Sequence, residues 1–493
     1  MAYEVIESVR PLLAVSVSLA VLPVLVSSHR SPNAREAWTF VAAVAKFLIV
    51  LSMLPSVLSG AQYVFTLARV VPGVPIAFRV DSLGMLFALV SSSLWIVTSI
   101  YSIGYMRSLK EHSQTRYFCF FALALSATIG VAFSANLLTL YLFYEALSLA
   151  TYPLVTHHQD KISRASGRKY LFYIMGTSIG LVLPAMLYIY SQTGTLDFSS
   201  SGIVGGLGSR NMMVVLLLML VFGFAKAALI PVHSWLPAAM VAPTPVSALL
   251  HAVAVVKVGV FSIVRVVLGV FGVNLLNSLG MSALLCTIAS LTVIVASLIA
   301  LSQDELKRRL AYSTIGQLSY IVLGVGLLSP KGIVGGTVHI AMHAYGKITL
   351  FFCAGAIFAA TGRKYVSELA GIGRRMPVTM FAFFIGSLSV IGIPLTGGFF
   401  SKWYLLQGTL QSGQWAFLVV LLVSSLLNAA YFLPIVYNAF FCPPDSAAFE
   451  EGGGEAPLQC VIPLCITALG SVVLFFYPNT FWRLAELAVA QIP

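Results

Sequence analysis

The sequence predicts an all-α polytopic membrane protein with about fourteen transmembrane helices, ten of them in two inverted five-helix repeats. Three observations carry this. Of 493 residues, 59% are hydrophobic and 9% charged, with a mean hydropathy of +0.95, against about 25% charged in soluble domains. That balance excludes a water-soluble fold, a nucleic-acid binder and a disordered chain. Apolar stretches long enough to cross a bilayer, about 20 residues each, recur from end to end. Two of these stretches are interrupted by proline and glycine at corresponding places.

The spans are expected near 10–28, 38–59, 82–106, 117–133, 136–155, 169–191, 212–231, 244–270, 276–301, 310–328, 333–360, 377–395 (running on, broken, to about 411), 414–441 and 458–479. The connections are short, leaving no room for a soluble domain. The first span is read as retained rather than a cleaved signal, because Glu4 and Glu7 replace a basic leader. Four regions follow: 1–116 with three helices, 117–270 and 271–441 with five each, and 442–493 with an acidic loop and the last helix.

Of the 28 lysines and arginines, 16 fall in loops after odd-numbered spans and 7 in the other loops and the termini. The positive-inside rule then puts the odd loops in the cytoplasm and both termini outside, in a prokaryotic cytoplasmic membrane. Five lysines remain, Lys46, Lys226, Lys257, Lys347 and Lys402, and all lie inside apolar segments. A charge at membrane depth costs at least about 2.5–3.5 kcal/mol, so such residues face the bundle interior or water and mark transport paths.

Glu145 is the one clearly intramembrane acid. Lys257 sits mid-span, six residues after His251. That spacing puts the two on different helix faces, so they join one file only through water or a neighbouring helix. His339, His343 and Lys347 recur at i, i+4, i+8 and form one polar stripe on span eleven. Histidine titrates near neutral pH, so such a row suits stepwise proton transfer. Lys46 is peripheral and reads as a lipid-facing, snorkelling lysine. A structural alternative treats these polar groups as seams tying helices together.

Span seven is broken at Pro231, beside Lys226, and span twelve at Pro394, before Lys402. Proline removes a backbone donor, and such breaks persist at membrane depth only where protein or water lines them. The two prolines are 163 residues apart, and an odd number of spans per unit reverses topology.

The segments FRVDSLGMLF (with Asp81), SIGYMRS, FYEALSLATYPLVTH, AKAALIPVHSWLPAAMVAPTPVSALLHAVAVVKVG, SQDELKRRLAYSTIGQLSY, ELAGIGRRMP and GIPLTGGFFSKW resemble the antiporter-like subunits of respiratory complex I, Mrp cation/proton antiporters and membrane-bound hydrogenases. The likeness runs over about residues 75–440. It implies fourteen helices with inverted repeats. It implies a Glu145–Lys226 pair in a first half-channel, His251 and Lys257 toward the centre, and His339, His343 and Lys347 leading to Lys402. It further implies partner membrane subunits and movement of H+, with Na+ an open possibility.

Compact ends and the ELAGIGRRMP loop look most like the D-type member of the Mrp antiporters. The FYEALSLATYPLVTHH form departs from the usual one and leaves a hydrogenase-linked or complex I subunit open. A structural subunit without transport of its own is the remaining alternative. Six scattered cysteines and the absence of a glycine-rich nucleotide loop indicate no cofactor, no metal and no redox site in the chain.

Overall fold

A computed structural model describes residues 4–443, 454–490 and 492. Residues 444–453, most of the expected acidic loop, lie outside the described residues. The chain is predominantly helical, and ten described helices are long and apolar enough to cross a membrane. It is a multi-pass integral membrane protein.

Helices α1 (Arg10–Ser27), α2 (Pro32–Leu58) and α3 (Ser82–Ser108) precede α4 (Gln114–Ala132), α5 (Leu137–Val155) and α6 (Lys161–Thr193). The shorter α7 (Arg210–Gly223) stops at a 3-10 turn, Ala225–Ala227. The eighth span is itself segmented. A helical turn at Thr244–Ala248 runs through a π-helical turn, Leu249–Val253, into α8 (Val255–Arg265). Then come α9 (Ser282–Ser302), α10 (Leu306–Gly326) and α11 (Pro330–Thr361). Helices α12 (Pro377–Ile391) and α13 (Gly397–Gln411) are the two halves of the expected broken span. Finally α14 (Trp415–Phe441) and α15 (Leu458–Phe476) are followed by a short amphipathic α16 (Asn479–Ala490).

The helical membrane fold expected from the sequence is accompanied by one small sheet. Residues 62–80 form a hairpin, β2 (Gln62–Val71) and β3 (Val74–Val80), which pairs antiparallel; β1 (Val5–Glu7) joins β2 in parallel. The cause is local. YVFTLARVV and VPIAFRV are rich in β-branched residues, and the Pro72-Gly73 corner, with Gly73 at φ +74°, closes them on each other.

Loop contacts sort onto two faces. The sheet, the Phe78–Ser134 and Asn136–Asp197 bridges and the Arg210 Nε bond to Leu279 O (3.0 Å) link the N-terminus and the loops after even-numbered spans. On the other face Arg107 Nε donates to Glu36 (3.0 Å), Arg116 to His157 O (2.8 Å) and Lys307 to Ala242 O (2.7 Å). The loops after odd-numbered spans and those after even-numbered spans thus lie on opposite faces.

Candidate functional site

Both breaks present buried lysines. Removing the i→i−4 ladder exposes backbone groups, and a lysine stem can reach across the gap. At the first break the left-handed Ala228 (φ +55°) ends the 3-10 turn that carries Lys226. The Lys226 ammonium is fully buried and donates to Tyr144 O (2.7 Å) and Ser148 Oγ (2.6 Å), with the Tyr144 ring centroid 3.2 Å away. The Tyr144 hydroxyl oxygen accepts from the Lys226 backbone N–H (3.1 Å).

Glu145 and Lys226, the pair implied by the resemblance, make no direct salt bridge, although the carboxylate is near enough to act on the ammonium electrostatically. Among the described residues no carboxylate lies within 4.0 Å of any of the five intramembrane lysines. Tyr144 and Ser148 are one turn apart and share a face of α5, whereas Glu145 is rotated about 100° from Tyr144. Both Glu145 carboxylate oxygens are enclosed and lack a hydrogen-bond partner.

Toward the centre, Lys257 is fully buried and its Nζ is 2.7 Å from His343 Nδ1. The sequence put His251 and Lys257 on different faces of their span, and the partner that meets Lys257 comes from α11. The side chain of His251 lies outside the described residues. His343 and His339 stack with ring centroids 5.6 Å apart. His339 contacts Ser401 Oγ (2.8 Å) and Gln317 Oε1 (3.2 Å). Lys347, one turn beyond His343, donates to Ser313 Oγ (2.8 Å).

At the second break Gly392 adopts φ +89°, and an added Cβ there would meet Lys402 Cδ at 2.5 Å, so glycine is required on both counts. Lys402 donates to Val390 O (2.8 Å) and Ile391 O (2.9 Å), carbonyls left over by the end of α12, and to Ser425 Oγ (3.3 Å). Tyr320 bridges the groups: its ring is 4.7 Å from the Lys402 ammonium and 5.7 Å from the His339 ring. Pro231 and Pro394 mark both breaks, although α7 already ends at Gly223 and α12 at Ile391.

Lys46 departs from its sequence reading. It is fully buried, donates to Leu125 O (3.1 Å) and faces the Trp95 ring at 5.0 Å rather than lipid. Helices α3 and α4 pack over it, which periodicity along α2 alone does not reveal. Sequence reasoning also passed over Ser148, Ser313, Gln317 and Ser401, the neutral groups that connect the charged ones. Their signal is positional, polar residues on spans facing the lysines, and it is invisible until helices are paired.

Within region 117–270, α8 packs against the turn that carries Lys226 at Gly259. A Cβ there would lie 2.1 Å from Ala227 N and 2.2 Å from the Lys226 carbonyl carbon. We expect Gly259→Ala to displace the turn carrying Lys226 and destabilise the protein by about 1–3 kcal/mol, read as a lowered Tm of the detergent-solubilised chain.

A buried file of titratable groups threaded through two broken helices defines a membrane-embedded ion-handling subunit. The sequence profile of the NADH:quinone oxidoreductase/Mrp antiporter transmembrane family matches residues 134–428, and that of the NADH-ubiquinone oxidoreductase (complex I) chain 5 N-terminus matches residues 72–118. The chain belongs to this antiporter-like subunit family. It is 34% identical over 393 residues to NADH-quinone oxidoreductase subunit N of Desulforudis audaxviator, covering 76% of this chain and 77% of that one. It is 29% identical to the putative antiporter subunit mnhA2 of Staphylococcus aureus, over 96% of this chain but only 62% of that longer protein.

Two solved assemblies contain chains of the same fold. One is the Mrp complex of Dietzia sp. DQ12-45-1b, with a TM-score of 0.86, 22% identity and 97% of each chain covered. The other is the membrane-bound sulfane sulfur reductase, an archaeal respiratory complex, with a TM-score of 0.85, 25% identity and 98% of each chain covered.

Proposed function

We propose that this chain translocates protons as one subunit of a multisubunit complex in a prokaryotic cytoplasmic membrane. The observation that carries the reading is the buried run Lys257, His343, His339, Ser401 and Lys402, with Lys257–His343 at 2.7 Å and His339–Ser401 at 2.8 Å. Each member accepts or releases a proton or relays one through a hydroxyl, and helix stacking brings the rest within a turn of each other.

Glu145, Lys226 and the Tyr144–Ser148 acceptors form the entry node. The unpaired carboxylate oxygens of Glu145 accept a proton. A rotamer change of Lys226 away from Tyr144 and Ser148 then moves its ammonium toward Glu145 or inward to Lys257. His251 and Lys347 belong to the same central stretch. The residues themselves supply every group this needs, so no cofactor enters the scheme.

Regions 117–270 and 271–441 are read as inverted repeats, supported by one broken span and one buried lysine in each. The Arg-rich loop face lies in the cytoplasm and both termini outside. The relatives of this chain include complex I and Mrp members. Its host is therefore either a Mrp-type Na+/H+ antiporter, in which it takes the place of the D-type member, or a complex I-like or hydrogenase-type proton pump.

The test is proton translocation in everted membrane vesicles carrying the assembled complex. Glu145→Gln and Lys402→Met are each expected to lower the rate at least about tenfold without loss of assembly. Wild-type rates in both would leave only a scaffolding role.

A further inference from the structure

Outside the buried file, a second group of titratable side chains gathers on the Arg-rich loop face. Glu111 and His112 follow the end of α3, and His157 and His158 follow the end of α5. One carboxylate oxygen, Glu111 Oε2, lies 3.7 Å from His157 Nε2, 3.7 Å from His158 Nδ1 and 3.9 Å from His112 Nδ1. One donor atom each from Glu111, His112 and His157 falls within 4.8 Å of the others, the only such cluster among the described residues.

His157 is fully buried, and neither ring nitrogen has a hydrogen-bond partner. Buried polar atoms in folded proteins are almost always satisfied. An imidazole enclosed with its Nε2 aimed at a carboxylate and two further imidazoles beside it therefore calls for a ligand. The backbone is held for the purpose: Arg116 donates to His157 O (2.8 Å), and Gln114 Nε2 to Glu111 O (3.1 Å).

We infer that Glu111, His112, His157 and His158 bind a zinc ion that staples the loop after the third span to the loop after the fifth. Imidazole nitrogen and carboxylate oxygen are its ordinary donors, at about 2.0–2.2 Å. Tetrahedral zinc would set those donors about 3.3–3.5 Å apart. The imidazole nitrogens are 3.7–3.9 Å from Glu111 Oε2, and the Glu111, His112 and His157 donors all lie within 4.8 Å of one another. His158, outside that group but partly exposed, joins as fourth ligand by a side-chain rotation. Two or three imidazoles with one carboxylate also match the donor preference of other first-row dications. Zinc is favoured because it imposes no square-planar or octahedral requirement on four side chains drawn from two loops. Nothing in the chain order flags the site, because the pairs 111–112 and 157–158 lie 45 residues apart with a helix hairpin between them.

The site is independent of the proton path and stands or falls separately from it. Glu111 and His158 also line a cavity of about 650 Å³ bordered by Pro243, Lys307 and Tyr365, which gives a dissolved ion access to the cluster.

The test uses the full chain purified in detergent, given zinc and then dialysed. We expect one zinc per chain, and a zinc-edge X-ray absorption spectrum with nitrogen and oxygen neighbours only. Competition against a chromophoric chelator should show at least tenfold weaker binding in both His112→Ala and Glu111→Gln. The His112 side chain is half exposed, so that variant is expected to fold normally. A zinc-free wild-type chain, sulfur ligation from the six cysteines, or unchanged affinity in either variant overturns the inference. The absorption spectrum of the wild-type chain decides the matter even if a variant fails to fold.

Discussion

Lys226→Ala is expected to abolish proton translocation by the assembled complex, a loss of more than about a hundredfold, while the subunit still assembles. The side chain is fully buried and its ammonium is held by Tyr144 O, Ser148 Oγ and the face of the Tyr144 ring. These acceptors are neutral, so truncation strands no buried carboxylate ion pair. The penalty for folding is accordingly small, roughly that of one or two lost hydrogen bonds, about 1–3 kcal/mol. For transport the loss is large, because Lys226 is the buried lysine at the first break and stands between Glu145 and Lys257 in the proposed path. Arginine is not a substitute, since guanidinium does not deprotonate under these conditions. Everted vesicles carrying Lys226→Ala or Lys226→Arg should both be inactive; normal rates in either would remove Lys226 from the path.

Asp81→Ala should give the largest loss of stability, about 3–5 kcal/mol. Asp81 caps α3 by accepting from Gly84 N (2.8 Å), and its carboxylate pairs with Arg265 at the end of α8, one of the two bonds measuring 2.7 Å. Both residues are buried, at 4% and 6% exposure. Removing the acid alone leaves an unpaired guanidinium, with Arg79 close enough to add like charge. Removing both charges in Asp81→Ala/Arg265→Met should recover a large part of the loss, because an ion pair replaced as a unit leaves no uncompensated charge. Thermal unfolding of the two variants in the same detergent measures this. Equal destabilisation of the single and double variants would show that loss of the α3 cap, not the unpaired Arg265, accounts for the effect.

Several features were legible in the chain because their physics is local. Hydrocarbon tolerates only apolar helices of a minimum length, so the long spans stand out in composition. The single prolines Pro55, Pro153, Pro434 and Pro463 are carried inside continuous helices. Prolines clustered with one another or with glycines weaken the helical ladder more, which located the breaks beside Lys226 and Lys402. The spacing of His339, His343 and Lys347 fixes one helix face without reference to any neighbour. The hairpin at 62–80 was equally local, yet it hid among short connections because a membrane reading weighs length of apolar run above alternation.

The order of amino acids therefore gives much of the inventory: the long apolar helices, the breaks in spans seven and twelve, and five lysines and one glutamate within apolar segments, though not the segmentation of the eighth span. Their partners are set by packing. Lys257 meets His343 across 86 positions, Lys226 turns to Tyr144 and Ser148 instead of Glu145, and Lys46 is enclosed by other helices. The reason is that helical periodicity specifies the direction of a side chain about its own axis, whereas its contacts depend on how helices distant in sequence pack against that axis.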